Sequence, residues 1–190
     1  MTVPLSEEMD IIKYRQTGET FDDKVVRISN SLKDNEQHFR SFLDILRSMR
    51  FQPAGRVQNA MGSARETTAY NCFVSPVIED SMESIMAVAT QASEVMRRGG
   101  GIGFDFSRIR PRGDLIKSLD SKASGPVSYM GIFNAVCQCI SSAGMRRGAM
   151  MSVMKVNHPD AEIFLTAKHN SDALTGFNMS FAVTDKFFEH

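Results

Sequence analysis

The sequence predicts an α/β chain whose second part, from about residue 70, builds a largely parallel sheet covered by helices. Three observations carry this. Strand-like and helix-like segments alternate from residue 70 onward, four of each in turn, the order expected of parallel strands joined by helical crossovers. The helical stretches hold apolar residues at a 3.6-residue period, with capping and stop signals at their ends. The strand segments are short, apolar and bounded by Gly or Pro. A half-built parallel sheet exposes apolar surface and unpaired backbone groups, so this piece is expected to need the rest of a barrel or sheet. The final segment, residues 182–190, opens like a helix at Thr184 and stops after about one turn, which adds to that expectation.

Residues 1–34 are polar and mixed, with 23–28 readable as a short strand or a helical turn. Residues 36–50 read as a helix, with Phe39, Phe42, Leu43, Leu46 and Met49 on one stripe and Pro53 beyond it. Residues 54–65 are small or polar and read as a loop. Residues 70–75 form a strand closed by Pro76. In the following helix Asp80 and Glu83 suit a capping box, and Ile85, Met86, Ala89, Ala92, Val95 and Met96 make the buried face. Arg97 and Arg98 suit its C-terminus, and Gly99 ends it. Residues 102–106 are a strand, and 107–125 a long polar loop carrying Arg108, Arg110, Arg112, Lys117 and Lys122. Pro126 starts a helix that buries Met130, Phe133, Val136, Cys137 and Ile140. A Gly- and Arg-containing loop (141–148), a strand (151–156), a helix opened by His158-Pro159 and running to about Lys168, and a strand (177–183) complete the chain.

The chain has 190 residues, 42% of them hydrophobic and 23% charged, with zero formal net charge. Balanced charge argues against a nucleic-acid backbone partner. No apolar run reaches the length of a membrane helix and no signal-peptide pattern opens the sequence, so a cytoplasmic protein is expected. The three cysteines, Cys72, Cys137 and Cys139, make no CxxC and no even disulfide set. Cys137 and Cys139 lie in an apolar helical run and are expected to be buried thiols. The 13 methionines suit adaptable packing.

Gly99-Gly-Gly-Ile-Gly103 is a candidate for close backbone approach to a ligand. It follows a helix and precedes a strand, the reverse of the dinucleotide fingerprint, which argues against a nicotinamide fold. Arg146 and Arg147, in Ser141-Ser-Ala-Gly-Met-Arg-Arg-Gly-Ala149, suit phosphate or a base edge; no Gly-Lys-Ser/Thr makes this a Walker A loop. Together with the basic 107–125 loop it suggests one anion-binding site, a solvated basic surface being the plainer alternative. His158 before Pro reads as a cap or turn residue, and no His or Cys spacing predicts a metal site.

Several of these segments, in order and spacing, closely resemble the catalytic subunit of ribonucleotide reductase. They are Asn71-Cys-Phe-Val74, Glu79-Asp-Ser-Met-Glu-Ser-Ile85, Gly99 to Gly113, Ala123-Ser-Gly-Pro-Val-Ser-Tyr-Met130, Ser142 to Ala149, Asn157-His-Pro-Asp160 and Phe177-Asn-Met-Ser180. The likeness covers about residues 50–190 and is nearest to the adenosylcobalamin-dependent class; a class with a separate metal-radical small subunit is the alternative within the family. It implies a ten-stranded α/β barrel, with residues 1–55 as a mostly helical N-terminal segment and 56–190 as the barrel's first part.

The resemblance further implies that Cys72 lies beneath the ribose. There it would supply reducing equivalents as the 2′-oxygen leaves as water, then form a disulfide with a cysteine of the second half. A neutral thiol can donate the proton, and later thiolate character helps reduction. Asn71 would stand beside the ribose, and Gly100 and Gly101 would let the backbone approach the substrate. Asp80 and Ser81 would hold a deoxynucleotide or ATP specificity effector, with Arg110 and Lys117 at its phosphates. Ser142, Arg146 and Arg147 would relay effector identity to the substrate base. Helices 81–97 and 127–140 would pair across a homodimer, and a thioredoxin-like protein would re-reduce the complete enzyme.

The radical cysteine, its Asn and Glu helpers, and the partner thiol of Cys72 are expected on a C-terminal remainder, so this chain alone is expected to be inactive. Only about 50 residues precede the barrel segment, so overall activity control by an N-terminal ATP-binding module is not expected. A non-catalytic effector-binding or dimerisation fragment is the competing reading, and a relic that does not fold alone the third.

Overall fold

The computed structural model describes residues 4–142, 146–169 and 173–189. The chain divides into two compact units, residues 1–71 and 72–190. The first is helical: α1 (Leu5–Lys13), α2 (Phe21–Leu32), α3 (Glu36–Arg47) and α4 (Gly55–Ala60).

Residues 23–28 therefore belong neither to a strand nor to a single turn; they lie inside the 12-residue α2. Thr20 and Asp23 set that helix by a reciprocal capping box. Val25 and Ile28, three apart, then meet Leu46 of α3 in a small core. Met49, expected on the α3 stripe, is 59% exposed because the helix stops at Arg47. The expected loop at 54–65 contains α4, whose buried residue is polar. Gln58 accepts from Lys24 Nζ at 3.1 Å and donates to the Pro53 carbonyl at 2.8 Å. Hydropathy does not register a helix whose inward residue is a glutamine. Lys24 is itself buried and ion-paired with Asp10, which also receives Arg15 Nε at 2.7 Å. Burial pushes the Asp10 carboxyl up, but the hydrogen bonds and charges of Lys24 and Arg15 outweigh it and leave its pKa below the ordinary value.

The second unit is built on four parallel strands in the order β1-β2-β7-β8: β1 (Cys72–Val74), β2 (Gly101–Asp105), β7 (Met150–Lys155) and β8 (Phe177–Ala182). The α/β class and the parallel order agree with the sequence reading. Helices α5 (Met82–Arg97) and α6 (Pro126–Cys139) supply the core against this sheet, and the short α7 (Ala161–Thr166) adds Phe164. Phe104 of β2 sits among aromatic rings, 4.9 Å from Phe133 and 6.1 Å from Phe177 between centroids.

Helix α5 is capped by Ser81, whose side chain accepts from the Ser84 amide at 3.2 Å; the Ser84 hydroxyl in turn accepts from the Glu79 amide at 2.9 Å. The N-cap is thus Ser81, one residue later than the expected Asp80, whose carboxylate is taken by Arg110. The buried face includes Val88, while Met86 is 44% exposed. The helix ends in a Schellman turn: Gly99 has φ 86°, its amide donates to Met96, and the Gly100 amide donates to Val95. On α6, Val136 and Ile140 are only partly buried.

The 107–125 stretch is not wholly loop. It carries a two-residue hairpin, β3 (Leu115–Ile116) with β4 (Ser121–Lys122). Segment 141–148 likewise pairs β5 (Ser141–Ser142) with β6 (Arg146–Arg147), while 143–145 of the expected loop lie outside the described residues. Pairs this short leave no periodicity to read. Residues 158–160 make a turn before α7, which ends at Thr166, short of Lys168. The last segment is a 3₁₀ helix, Asp185–Glu189. Among the described residues no helix is long and apolar enough to cross a membrane.

Candidate functional site

Strand alternation sorts the four-stranded sheet into two faces. Ile102, Phe104, Met150, Met154 and Phe177 face the helices and are buried. The opposite face carries Cys72 and Val74, Gly101 and Gly103, Met151 and Val153, and Asn178 and Ser180. The register aligns Cys72 with Gly101, then Val74, Gly103, Met151 and Asn178 in one row. Cys72 and Val74 are exposed, Val74 to 92%. Met151 and Asn178 are exposed as well, and Gly101, Gly103, Val153 and Ser180 are half-buried.

Cys72 is a free thiol whose neighbour across the ladder has no side chain. Gly103, in the next row, would place a Cβ 3.8 Å from Met151 Cβ, so this part of the face is low and open. Gly100 has a different task. A Cβ there would fall 2.7 Å from the Phe73 ring and 2.8 Å from Val95 Cγ1, so glycine allows β1 to close onto α5. Asn71 is exposed and immediately precedes the strand.

The other two thiols differ from Cys72. Cys137 is packed where Cβ atoms on Gly148 and Gly176 would lie 2.6 and 3.2 Å from its sulfur, and burial pushes its pKa up. Cys139 is exposed, contrary to expectation. Two residues along a helix turn the side chain by about 200°, so both cannot face one core.

A second cluster joins residues 79–81 to the start of the 107–125 segment. Asp80 accepts from the Arg110 amide at 3.1 Å and from Arg110 Nε at 2.6 Å. Arg108 pairs with Glu79 at 2.7 Å. Ser81 is occupied as the α5 cap, and Lys117 is exposed in the β3–β4 turn. Ser142 and Arg146 are backbone partners in β5–β6, as are Ser141 and Arg147. Of the predicted residues, Cys72 and Gly101 share the exposed sheet face, Asp80 and Arg110 meet in the second cluster, Ser142, Arg146 and Arg147 pair in the β5–β6 hairpin, and Gly100 packs against Phe73 and Val95 instead. Sequence reading assigned no site role to Met151 or Asn178; period-2 alternation marks them as facing one way, but only the register sets them in a row with Gly103 and Val74, next to the Cys72–Gly101 pair.

Four parallel strands backed by helices, with the free and exposed thiol of Cys72 on the first strand, define an α/β domain. The family model for the ribonucleotide reductase barrel domain matches residues 70–190, and the chain belongs to that family. A vitamin B12-dependent ribonucleoside-diphosphate reductase of Mycobacterium tuberculosis is 44% identical over 147 residues, 77% of this chain and 21% of that protein. The protein of the same name from Thermoplasma acidophilum is 38% identical over 154 residues, 80% of this chain and 20% of the relative. The class Id ribonucleotide reductase alpha subunit of Actinobacillus ureae superposes with a TM-score of 0.85 at 21% identity, over 98% of this chain and 34% of that one, a likeness of fold. The chain spans about a fifth of the length of these B12-dependent relatives.

Proposed function

We propose that this chain is the N-terminal part of a ribonucleotide reductase catalytic barrel, contributing half of a site that reduces ribonucleotides to deoxyribonucleotides by a radical route. The observation that carries the reading is Cys72, free and exposed on the open sheet face opposite Gly101, at the start of the matched segment. The ten-stranded closure, the radical cysteine and the partner thiol belong to a C-terminal remainder. Cys72 delivers a proton and reducing equivalents as the 2′-hydroxyl departs as water, and ends in a disulfide with that partner thiol. A thioredoxin-like protein restores it. Asn71 and Gly101 flank the ribose, with Gly100 setting how closely β1 lies on α5.

Adenosylcobalamin is the proposed radical source, consistent with the names of the B12-dependent relatives; a metal-radical small subunit is the alternative. When bound, the cofactor supplies an organic radical. Residues of this chain shape the floor of the site and carry the reducing thiol.

Asp80, Ser81, Arg110 and Lys117 bind the specificity effector, and Ser142, Arg146 and Arg147 report its identity to the substrate base. Helices α5 and α6 pair across a homodimer, and the enzyme works in the cytoplasm.

The test is Cys72→Ser in the complete enzyme. Ribonucleotide reduction is expected to fall by at least about a hundredfold, the lower range for loss of a proton-transferring group, with deoxynucleotide binding retained. Turnover within about threefold of wild type would remove Cys72 from the chemistry.

A further inference from the structure

The turn between β7 and α7 holds two buried polar side chains that the proposed chemistry does not use. His158 is 9% exposed and Asp160 is 4% exposed. His158 Nε2 lies 2.9 Å from the Ile109 carbonyl oxygen, and its Nδ1 accepts from the Asp160 amide at 3.0 Å. A carbonyl only accepts and an amide N–H only donates, so the ring is neutral with its proton on Nε2. Asp160 Oδ2 accepts from the Arg112 amide at 2.9 Å. The same oxygen lies 2.6 Å from where a Cβ on Gly125 would be.

These contacts fall at both roots of the 107–125 segment: Ile109 and Arg112 where it enters, Gly125 where it leaves. A third tie comes from Ser107, whose hydroxyl accepts from the Lys155 amide at 2.8 Å. The neck is closed by Gly113 donating to Ala123 at 2.9 Å and Ala123 donating to Asp114 at 2.7 Å. Beyond the neck stands the β3–β4 hairpin with Lys117; on the entering side, Arg110 reaches Asp80.

We propose that His158 and Asp160 are positioning residues for effector recognition. They clamp the root of the 107–125 segment so that Arg110 stays on Asp80, and the hairpin that carries Lys117 stays in place, for a nucleoside triphosphate. The inference rests on the effector reading given above. An unclamped segment must be ordered when the ligand binds, and that entropy is subtracted from affinity. Removing the Asp160 acceptor also leaves the Arg112 amide without its partner.

The experiment uses the complete enzyme with Asp160→Ala, His158→Ala and Asp160→Asn, the last retaining an oxygen acceptor. Deoxynucleoside triphosphate binding is measured by titration calorimetry, Arg112 amide exchange by mass spectrometry, and turnover without effector. The two alanine variants are expected to weaken binding about tenfold or more and to speed Arg112 exchange by a similar factor, the scale of one lost buried hydrogen bond. Effector-free turnover is expected to stay within about twofold, and Asp160→Asn to recover most of the affinity. Unchanged affinity in the alanine variants, with a wild type that binds normally, overturns this inference alone. Loss of effector-free turnover in parallel with affinity overturns it too, since the role is then general to the fold. A wild type that binds no deoxynucleoside triphosphate overturns the effector reading and this inference together.

Discussion

Two glycines of one helix make opposing predictions. Gly125 is the N-cap of α6 with φ 81° and ψ 164°, a region open essentially to glycine alone. An alanine there costs about 1–3 kcal/mol in backbone strain. Its Cβ would also lie 2.6 Å from Asp160 Oδ2 and 2.9 Å from both the Arg112 amide nitrogen and Arg112 Cβ. These are a backbone and a hydrogen-bonded carboxylate, so relief requires moving the clamp, at a further cost of about 1–3 kcal/mol typical of overpacking. The reduced freedom of the unfolded chain offsets about 0.4–1 kcal/mol, leaving Gly125→Ala destabilising by about 3 kcal/mol. Gly131, six residues on in the same helix, would place a Cβ with nothing within 4 Å. Gly131→Ala is therefore expected to stabilise α6 by about 0.5–1 kcal/mol. Native-state hydrogen exchange of α6 amides in the complete protein reads both. If both substitutions change protection in the same direction, or Gly125→Ala leaves it within about 0.5 kcal/mol, the account of the α6 start is refuted.

Gly100→Ala is expected to cost about 1–3 kcal/mol through Phe73 and Val95, and Phe73→Ala in the same chain to recover part of it; strict additivity in a double-mutant cycle would contradict the packing role. Asp10 has a depressed folded pKa, so its stabilisation is present above the unfolded value of about 3.9 and is lost as pH falls through the folded value. Asp10→Asn should accordingly show its largest stability deficit above about pH 5, narrowing toward pH 2 in urea titrations, whereas a deficit constant with pH would speak against the ion-paired carboxylate. Cys139 should react with iodoacetamide well before Cys137, whose thiol is buried with a raised pKa; equal rates by peptide mapping would mean that α6 is rotated.

The chemistry-bearing positions differ in how far local sequence reveals them. The strand read at 70–75 is present as Cys72–Val74, and Gly99 after Arg97-Arg98 is visibly a helix end, because both signals are local. The separate duties of the next glycines are not. Gly100 makes room for Phe73, 27 residues earlier, and Gly101 faces Cys72 only because β1 and β2 pair in that register. Asp80 illustrates the same limit: its local context suits a helix cap, yet Arg110, 30 residues later, takes both carboxylate oxygens. A local signal loses when a charged partner from another element offers the stronger hydrogen bonds.

By itself the sequence determined the α/β alternation, the helix stops, the separation of one strand thiol from two helical ones, and the ordered motifs of the family. Each is encoded in periodicity or in residues adjacent along the chain. Tertiary structure alone decided which sheet face stays open, which residues share a row with Cys72, and that His158 and Asp160 hold a loop about 50 residues away in sequence. Those facts depend on register and on burial of polar groups. A buried polar side chain is selected by the partner it finds across space, and hydropathy along the chain carries no record of that partner.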